Sequence, residues 1–148
     1  MEVRAFVKRL HPEATLPIYA HGSQEDAGLD LTYCGTEALV LPAGTRVMCP
    51  TGIAIQLPPG FEGQIRPKSG LALNRGLTVL NAPGTVDPGY RGEIAVLLIN
   101  LSNEQQKIVP GDRIAQLVVS QYAELRLEEV QKLDESERNS GGFGSSGI

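Results

Sequence analysis

The sequence predicts an all-β fold, a distorted jelly roll or β-barrel built from short strands with one short helical segment. Seventeen glycines and ten prolines divide its 148 residues into short apolar runs, and turn-forming Pro-Gly pairs recur between those runs. Short, evenly spaced strands are typical of sandwiches, jelly rolls and barrels. A sustained 3.6-residue apolar period is missing, apart from one weak candidate in the middle of the chain.

The predicted strands are the apolar or alternating runs between these turns, at residues 3–9, 29–32, 37–41, 45–50, 53–56, 62–66, 77–80, 92–100, 106–108, 114–122 and 123–130. The helical candidate is Ser69–Arg75, in which Ser69 is placed to act as the N-cap. Past Gln131 the apolar pattern stops and the chain becomes polar and rich in glycine and serine. We therefore expect one domain over residues 1–131 and a flexible tail over 132–148.

Composition excludes several classes of protein. The net charge is −4 and the basic residues are scattered, so a nucleic-acid-binding face is not expected. Cys34 and Cys49 lack metal-ligand spacing, which predicts buried or inert thiols in a reducing compartment. The start of the chain does not resemble a signal peptide, and the apolar runs are too short to cross a bilayer. We therefore expect a cytoplasmic protein without a membrane partner.

The segment RPKSGL at residues 66–71 leaves a predicted strand and opens the helical segment. Free backbone N–H groups at a helix start, the Ser69 hydroxyl and the cations of Arg66 and Lys68 together suit an anion such as phosphate. A proline-broken turn with an N-cap serine explains Ser69 and Gly70 nearly as well. That simpler interpretation, however, does not require two cations.

The segment NAPGTVDPGYRGE at residues 81–93 is a hairpin-like excursion between apolar strands. If it forms a slot, exposed main-chain groups and Asn81 can read the edge of a pyrimidine. Asp87 can then hold a water for attack, because a surface carboxylate is ionised at neutral pH. The alternative is an ordinary Asp-Pro-Gly turn, which leaves the grouping of an amide, a carboxylate and a phenol unexplained.

Two polar residues interrupt apolar strands. Gln116 lies in the run that follows a Pro-Gly-Asp turn, where it either contacts phosphate or water or satisfies a buried backbone group. In the same turn, Asp112 and Arg113 can pair with each other. Asp30 lies between two leucines, as either an interior hydrogen-bonding residue or part of a cation site.

The tail RNSGGFGSSGI at residues 138–148 carries one arginine and one phenylalanine among small residues. Its composition alone is typical of a disordered end. A guanidinium for phosphate and a ring for a base, on a segment flexible enough to wrap a ligand, also suit a nucleotide lid.

Five segments, taken in order, resemble the motifs of the trimeric dUTPase family, the deoxyuridine 5′-triphosphate nucleotidohydrolases. They are AGLDL at 27–31, RPKSGLA at 66–72, NAPGTVDPGYRGEI at 81–94, PGDRIAQLV at 110–118 and RNSGGFGSSG at 138–147. The resemblance implies hydrolysis of dUTP to dUMP and pyrophosphate, which keeps uracil out of DNA and supplies dUMP for dTMP synthesis.

The resemblance also assigns roles to single residues. Asp87 corresponds to the general base that activates water for attack on the α-phosphorus. Tyr90 corresponds to the aromatic floor under the deoxyribose, where a 2′-hydroxyl would clash. Asp30 corresponds to the carboxylate that holds Mg²⁺ through water, the metal lying mainly on the substrate phosphates.

The remaining implied substrate contacts fall into three groups. The uracil slot comprises Asn81 with the main chain at Gly84, Thr85, Val86 and Ala95. The triphosphate contacts are Lys68, Ser69, Gly70 and Gln116. The lid contacts are Arg138 at the γ-phosphate, Phe143 over uracil, and Gly144, Ser145 and Ser146.

The family further implies a homotrimer whose active sites are shared between chains. Residues 123–130 are a candidate for crossing onto a neighbour, and Val96 and Leu98 are candidates for lining the trimer axis. Two departures from the family pattern are Lys68, where arginine is usual, and Ser146, where threonine is frequent. Lysine keeps the charge but lacks the planar bidentate fork of arginine.

Two functions other than hydrolysis of dUTP are compatible with part of these motifs. The related dCTP deaminases use a glutamate at the position of Leu97, so deamination is not expected. A nucleotide sensor that binds without turnover would not need Asp87.

Overall fold

A computed structural model describes residues 1–147 and confirms the all-β fold. The strands follow most of the predicted runs, and the single helix lies where it was predicted. The elements are β1 (Phe6–Arg9), β2 (Leu29–Thr32), β3 (Leu39–Leu41), β4 (Arg46–Pro50), β5 (Ile53–Gln56), β6 (Phe61–Arg66), α1 (Ser69–Arg75), β7 (Leu77–Val79), β8 (Gly84–Val86), β9 (Ala95–Asn100), β10 (Gln106–Ile108) and β11 (Arg113–Gln121).

All strand pairs are antiparallel. A four-stranded sheet has the order β2-β11-β6-β8, and a three-stranded sheet has the order β4-β9-β7. Two further pairs, β1 with β5 and β10 with β3, complete the layers. The long strand β11 therefore joins the early strand β2 to the strand that precedes the helix.

The core lies between the sheets, and strand alternation decides which residues enter it. On β9, Val96 and Leu98 are buried at 0% and 1% exposure, while Leu97 and Ile99, which alternate with them along the strand, are half-buried. The expectation that Val96 and Leu98 line a trimer axis is wrong, because they face the core of their own protomer. Burial of each such side chain stabilises the fold by about 1.5–3 kcal/mol.

The helix Ser69–Arg75 has the predicted bounds but not the predicted cap. Lys68, in an extended conformation, occupies the N-cap position, and no side chain caps the helix, so the prediction for Ser69 is wrong. The helix ends at Gly76, whose φ of +61° is left-handed and whose N–H bonds the Ala72 carbonyl. Such an ending favours glycine, which has no Cβ to clash.

Two strand assignments differ from the sequence prediction. Strand β8 was missed because Pro83 and Gly84 read as turn residues, although the segment pairs with β6. Residues 123–130 pair with no strand among residues 1–147, so the predicted strand does not form within the protomer, and its crossing onto a neighbour stays a prediction. An apolar alternation alone does not supply backbone hydrogen bonds.

Residues 122–147 follow the last strand as an extended segment that is exposed except at Gly141 and Gly142. The boundary at residue 131 stays a prediction, and Ile148, the end of the predicted lid, lies outside the described residues. Within residues 1–147 there is no helix long and apolar enough to cross a membrane.

Candidate functional site

The four-stranded sheet aligns three predicted polar residues side by side. Gln116 on β11 lies opposite Asp30 on β2 and also opposite Arg66 at the end of β6. Three motifs that are distant in the sequence therefore meet at one position across the sheet.

Asp30 is the ionic centre of this position. Its carboxylate is buried, at 5% exposure, and pairs with the ammonium of Lys68 and, at 3.3 Å, with the guanidinium of Arg113. The alternative pairing of Asp112 with Arg113 is wrong: Asp112 accepts the Val109 N–H at 2.9 Å and fixes the turn alone. Sequence reasoning missed Arg113 as a partner of Asp30, since only strand register reveals it.

Gln116 satisfies a backbone group, as one of its two interpretations predicted. Its side-chain Nε2 donates to the Pro67 carbonyl at 2.9 Å. Its Oε1 lies 2.3 Å from the point where a Cβ on Gly28 would stand, so Gly28 leaves room for the amide. Gln116 thus connects β11 to the loop that carries Lys68.

Ser69 and Gly70 lie exposed at the start of α1. The first N–H groups of a helix have no partner inside it, and neither residue's N–H forms a backbone hydrogen bond within residues 1–147. These donors, beside the Lys68 cation, are suited to an anion.

A second group of predicted residues surrounds the hairpin excursion. Strand β8 is the edge of its sheet, so its backbone groups on the side away from β6 are unpaired within the described chain. The Leu80 N–H donates to the Leu97 carbonyl at 2.8 Å. Because backbone groups alternate along a strand, Ala95 presents its N–H and C=O on the same side of β9 as the Leu97 carbonyl. These edges provide the main-chain donors and acceptors that a base-reading slot needs.

The side chains of the excursion lie beside these main-chain edges. Asn81 is exposed, and its amide lies 3.3 Å from the Cβ position of Gly84. Thr85 is exposed and Val86 is buried. Asp87 follows directly after β8 with its carboxylate exposed to solvent.

Tyr90 is anchored within the same loop. Its backbone N–H donates to the Asp87 carbonyl at 3.1 Å, and its hydroxyl donates to the Glu93 carbonyl at 2.8 Å. The Glu93 carboxylate in turn accepts the Gly52 N–H at 2.9 Å. Glu93 was not singled out in the sequence, and no local pattern distinguishes it from a surface charge.

Asp87 and the phosphate-suited loop lie at opposite ends of β6 within one protomer. Val86, the residue before Asp87, pairs with Gly63, and Lys68 lies five residues past Gly63. Asp87 then falls beside Glu62, six residues before Lys68, so at about 3.3 Å per residue Asp87 and Lys68 lie roughly 20 Å apart. One protomer therefore does not bring Asp87 to its own Lys68, Ser69 and Gly70.

The predicted lid residues form a third group apart from the other two. Arg138 donates to the Gly141 carbonyl at 2.7 Å, and Phe143 is fully exposed. Residues 137–146 surround a concavity of about 590 Å³ without any residue of the sheets; the predicted members there are Arg138, Phe143, Gly144, Ser145 and Ser146.

The larger groove of the protomer, about 870 Å³, contains none of the predicted site residues. It lies between the N-terminal segment and the four-stranded sheet. Apolar side chains line much of it, among them Val7, Leu16, Leu29, Ile55, Leu117 and Val119.

Metal and thiol chemistry are limited in this chain. Residues 1–147 contain no group of three His, Cys, Asp or Glu side chains able to hold a metal ion. Burial raises the pKa of the Cys49 thiol to about 12, and Cys34 is half-buried. The expectation of a buried, inert thiol is therefore confirmed for Cys49.

An exposed carboxylate beside free main-chain edges and a cationic loop at a helix start are the kinds of group that suit the base and the phosphates of a nucleotide. The family model of the dUTPases matches residues 14–147. The chain belongs to the dUTPase family.

Individual relatives match nearly the whole chain. The deoxyuridine 5′-triphosphate nucleotidohydrolase of Syntrophotalea carbinolica is 50% identical and covers 96% of this chain and 95% of its own. The protein of that name from Clostridium kluyveri is 53% identical, with coverage of 95% and 96%. The dUTPase of Staphylococcus bacteriophage 80alpha, solved with dUPNHPP, is 26% identical with a TM-score of 0.83 over 98% of this chain and 99% of its own.

Proposed function

We propose that this chain is a dUTP diphosphatase that hydrolyses dUTP to dUMP and pyrophosphate, removing dUTP from the DNA precursor pool and supplying dUMP for dTMP synthesis. The observation that carries the proposal is the position of Asp87, an exposed carboxylate directly after the free edge of β8. The names of the close relatives indicate the same substrate.

Asp87 acts as the general base. Its carboxylate accepts a proton from a water molecule as the water oxygen attacks the α-phosphorus. The new P–O bond forms while the bond between the α-phosphorus and the bridging oxygen breaks, and pyrophosphate leaves with that electron pair. In this reaction the protein mainly positions groups and neutralises charge.

The slot selects the base, and Tyr90 forms the floor under the deoxyribose, where a 2′-hydroxyl would clash. Main-chain groups of Gly84, Thr85, Val86 and Ala95, with the Asn81 amide, hydrogen-bond the uracil edge. A base with a mismatched donor pattern leaves these groups unpaired, which is the strongest basis for rejection.

The phosphates are held by the Lys68 ammonium, the N–H groups of Ser69 and Gly70, and the Ser69 hydroxyl. Gln116 is the fourth residue that contacts them. Mg²⁺ supplies charge neutralisation on the triphosphate when bound. Asp30 is buried and already pairs with Lys68 and Arg113. Without a cluster of further ligands among residues 1–147, it would hold a cation only through the water shell of that cation, which would lie mainly on the phosphates.

We also propose a homotrimer in which each active site combines Asp87 from one chain with the phosphate loop of a second and the tail of a third. The roughly 20 Å between Asp87 and Lys68 in one protomer supports this. The segment between β11 and the tail exposes Leu125 and Leu127 at 79% and 84%, and apolar side chains so exposed favour an interface. The 870 Å³ groove of a neighbour offers an apolar surface to cover them.

Oxygen labelling tests the position of attack. In water enriched in ¹⁸O, a single turnover of dUTP places one heavy oxygen in dUMP and none in pyrophosphate. Label in pyrophosphate means attack at the β-phosphorus and contradicts the proposal.

Complementation tests the shared site. Two variants with impaired sites, Asp87→Asn and a Lys68→Met, Ser69→Ala double variant, are unfolded together, refolded as a mixture and assayed. If Asp87 and the loop come from different chains, about one quarter of the sites in a random trimer are intact and activity returns. A mixture no more active than its components contradicts the shared site, and each variant refolded alone is the control.

A further inference from the structure

The ring of Tyr90 occupies space that any side chain at position 92 would need. A Cβ built on Gly92 stands 2.4 Å from the Tyr90 hydroxyl oxygen and 2.6 Å from Cζ. The hydroxyl also donates to the Glu93 carbonyl at 2.8 Å. The end of the phenol ring therefore rests on Gly92 and is tethered one residue further on.

Backbone conformation does not explain the glycine at position 92. Eight glycines of the chain, among them Gly52 and Gly76, have a positive φ, and Gly92 is not one of them. A residue with a side chain can therefore adopt the backbone of Gly92 without strain. The three heavy atoms nearest to a Cβ there, outside the neighbouring residues of the chain, all belong to the Tyr90 side chain.

The backbone beneath the ring is fixed on its other side. The Glu93 carboxylate accepts the Gly52 N–H at 2.9 Å, and the Ile94 N–H donates to the Ile53 carbonyl at 2.8 Å. Tyr90 itself is 45% exposed. When Gly92 gains a methyl group, we therefore expect the ring to move and the anchored backbone of residues 92–94 to stay.

We propose that Gly92 is a positioning residue that sets the height of the Tyr90 ring and thereby the discrimination between deoxyribo- and ribonucleotides. This inference rests on the proposed role of Tyr90 as the floor under the deoxyribose. Ordinary contact begins at 3.4 Å, so a Cβ at 2.4 Å displaces the ring by about 1 Å. A steric wall against one hydroxyl group loses its effect on that scale.

The test compares two glycine-to-alanine variants of the same loop. Gly89 also has an ordinary φ, and a Cβ there meets nothing within 4 Å. We expect Gly92→Ala to lower the ratio of kcat/KM for dUTP over UTP at least tenfold. Gly89→Ala should keep that ratio within about twofold of the wild type, since its methyl group touches nothing.

Tyr90→Ala separates this inference from the proposed function. If Tyr90→Ala lowers the dUTP/UTP ratio and Gly92→Ala does not, the role of Gly92 is wrong while the role of Tyr90 stands. If Tyr90→Ala leaves the ratio unchanged, the role of Tyr90 fails and the inference fails with it. In a Tyr90→Ala background, Gly92→Ala should lower the ratio no further.

A second variant covers the case in which Gly92→Ala does not fold, as judged by its thermal unfolding. Tyr90→Phe removes the hydrogen bond to the Glu93 carbonyl and loosens the ring without touching Gly92. A lowered ratio of kcat/KM for dUTP over UTP in Tyr90→Phe supports the positioning of the ring by the backbone of residues 92 and 93. An unchanged ratio contradicts it.

Discussion

Gln116 donates its side-chain amide to the carbonyl oxygen of Pro67 over 2.9 Å, so the central strand of the larger sheet holds the loop that carries Lys68. We expect Gln116→Ala to raise KM for dUTP about fivefold, because a hydrogen bond contributes roughly 1 kcal/mol and its loss frees the loop. Steady-state kinetics measure the change.

Gln116→Glu is the matched control for that hydrogen bond. A carboxylate of the same size cannot donate to the Pro67 carbonyl, so this variant should be at least as impaired as Gln116→Ala. Wild-type KM in Gln116→Glu would mean that packing matters at this position and donation does not.

The ion pair of Lys68 with buried Asp30 should stabilise the protein even without substrate. We expect Lys68→Met to lower the free energy of unfolding by about 1–2 kcal/mol, a modest value because Lys68 is partly exposed. Lys68→Arg keeps the charge and should remain within about 0.5 kcal/mol of the wild type. Urea unfolding of the wild type and the two variants measures the difference. Equal stability of Lys68→Met and the wild type would show that the ion pair does not stabilise the fold.

Removing the tail should separate folding from turnover. No residue of the buried core lies beyond Leu117, so a chain that ends at Glu137 should keep its fold and still bind dUTP. Its kcat should fall at least tenfold, because the Arg138 guanidinium and the Phe143 ring are lost. Thermal unfolding and single-turnover rates check the two halves, and an unchanged kcat would make this segment a disordered end.

The sequence predicts what depends on local chemistry. The bounds of the helix at Ser69–Arg75 and of the strands Leu29–Thr32, Ile53–Gln56 and Gln106–Ile108 are as predicted, because glycine and proline turns delimit them. The strand predicted at residues 123–130 does not form within the protomer, since an alternating pattern does not reveal whether the partner strand lies in the same chain.

The connections between the predicted site residues depend on register and could not be read from the chain. Asp30 and Arg113 are 83 residues apart in sequence, and only the pairing of β2 with β11 brings them together. The same holds for the contact between the Tyr90 ring and Gly92, which requires the path of the loop in space. The assignment of Asp87 and the substrate contacts stays a prediction.

Alkaline conditions should destabilise the protein through Cys49. Burial raises the pKa of this thiol from its ordinary 9.0 to about 12. Between these values the unfolded chain loses the proton and the folded chain keeps it. The contribution of the Cys49 thiol to the free energy of unfolding therefore falls as pH rises, by up to about 1.4 kcal/mol per pH unit.

Cys49→Ala provides the comparison. The variant lacks the thiol, so its stability should fall less steeply between about pH 9 and 12 than that of the wild type. Urea unfolding at a series of pH values measures both slopes. Parallel slopes would show that the buried thiol does not contribute.

The most direct measurement is pyrophosphate release from dUTP, UTP, dCTP and dTTP with Mg²⁺, on the wild type and on Asp87→Asn. We predict rapid release from dUTP, with far less from the other three nucleotides. In Asp87→Asn, kcat should fall by roughly 10²–10⁴ because the general base is lost. Equal turnover of UTP and dUTP, or an Asp87→Asn variant with wild-type kcat, would contradict the account.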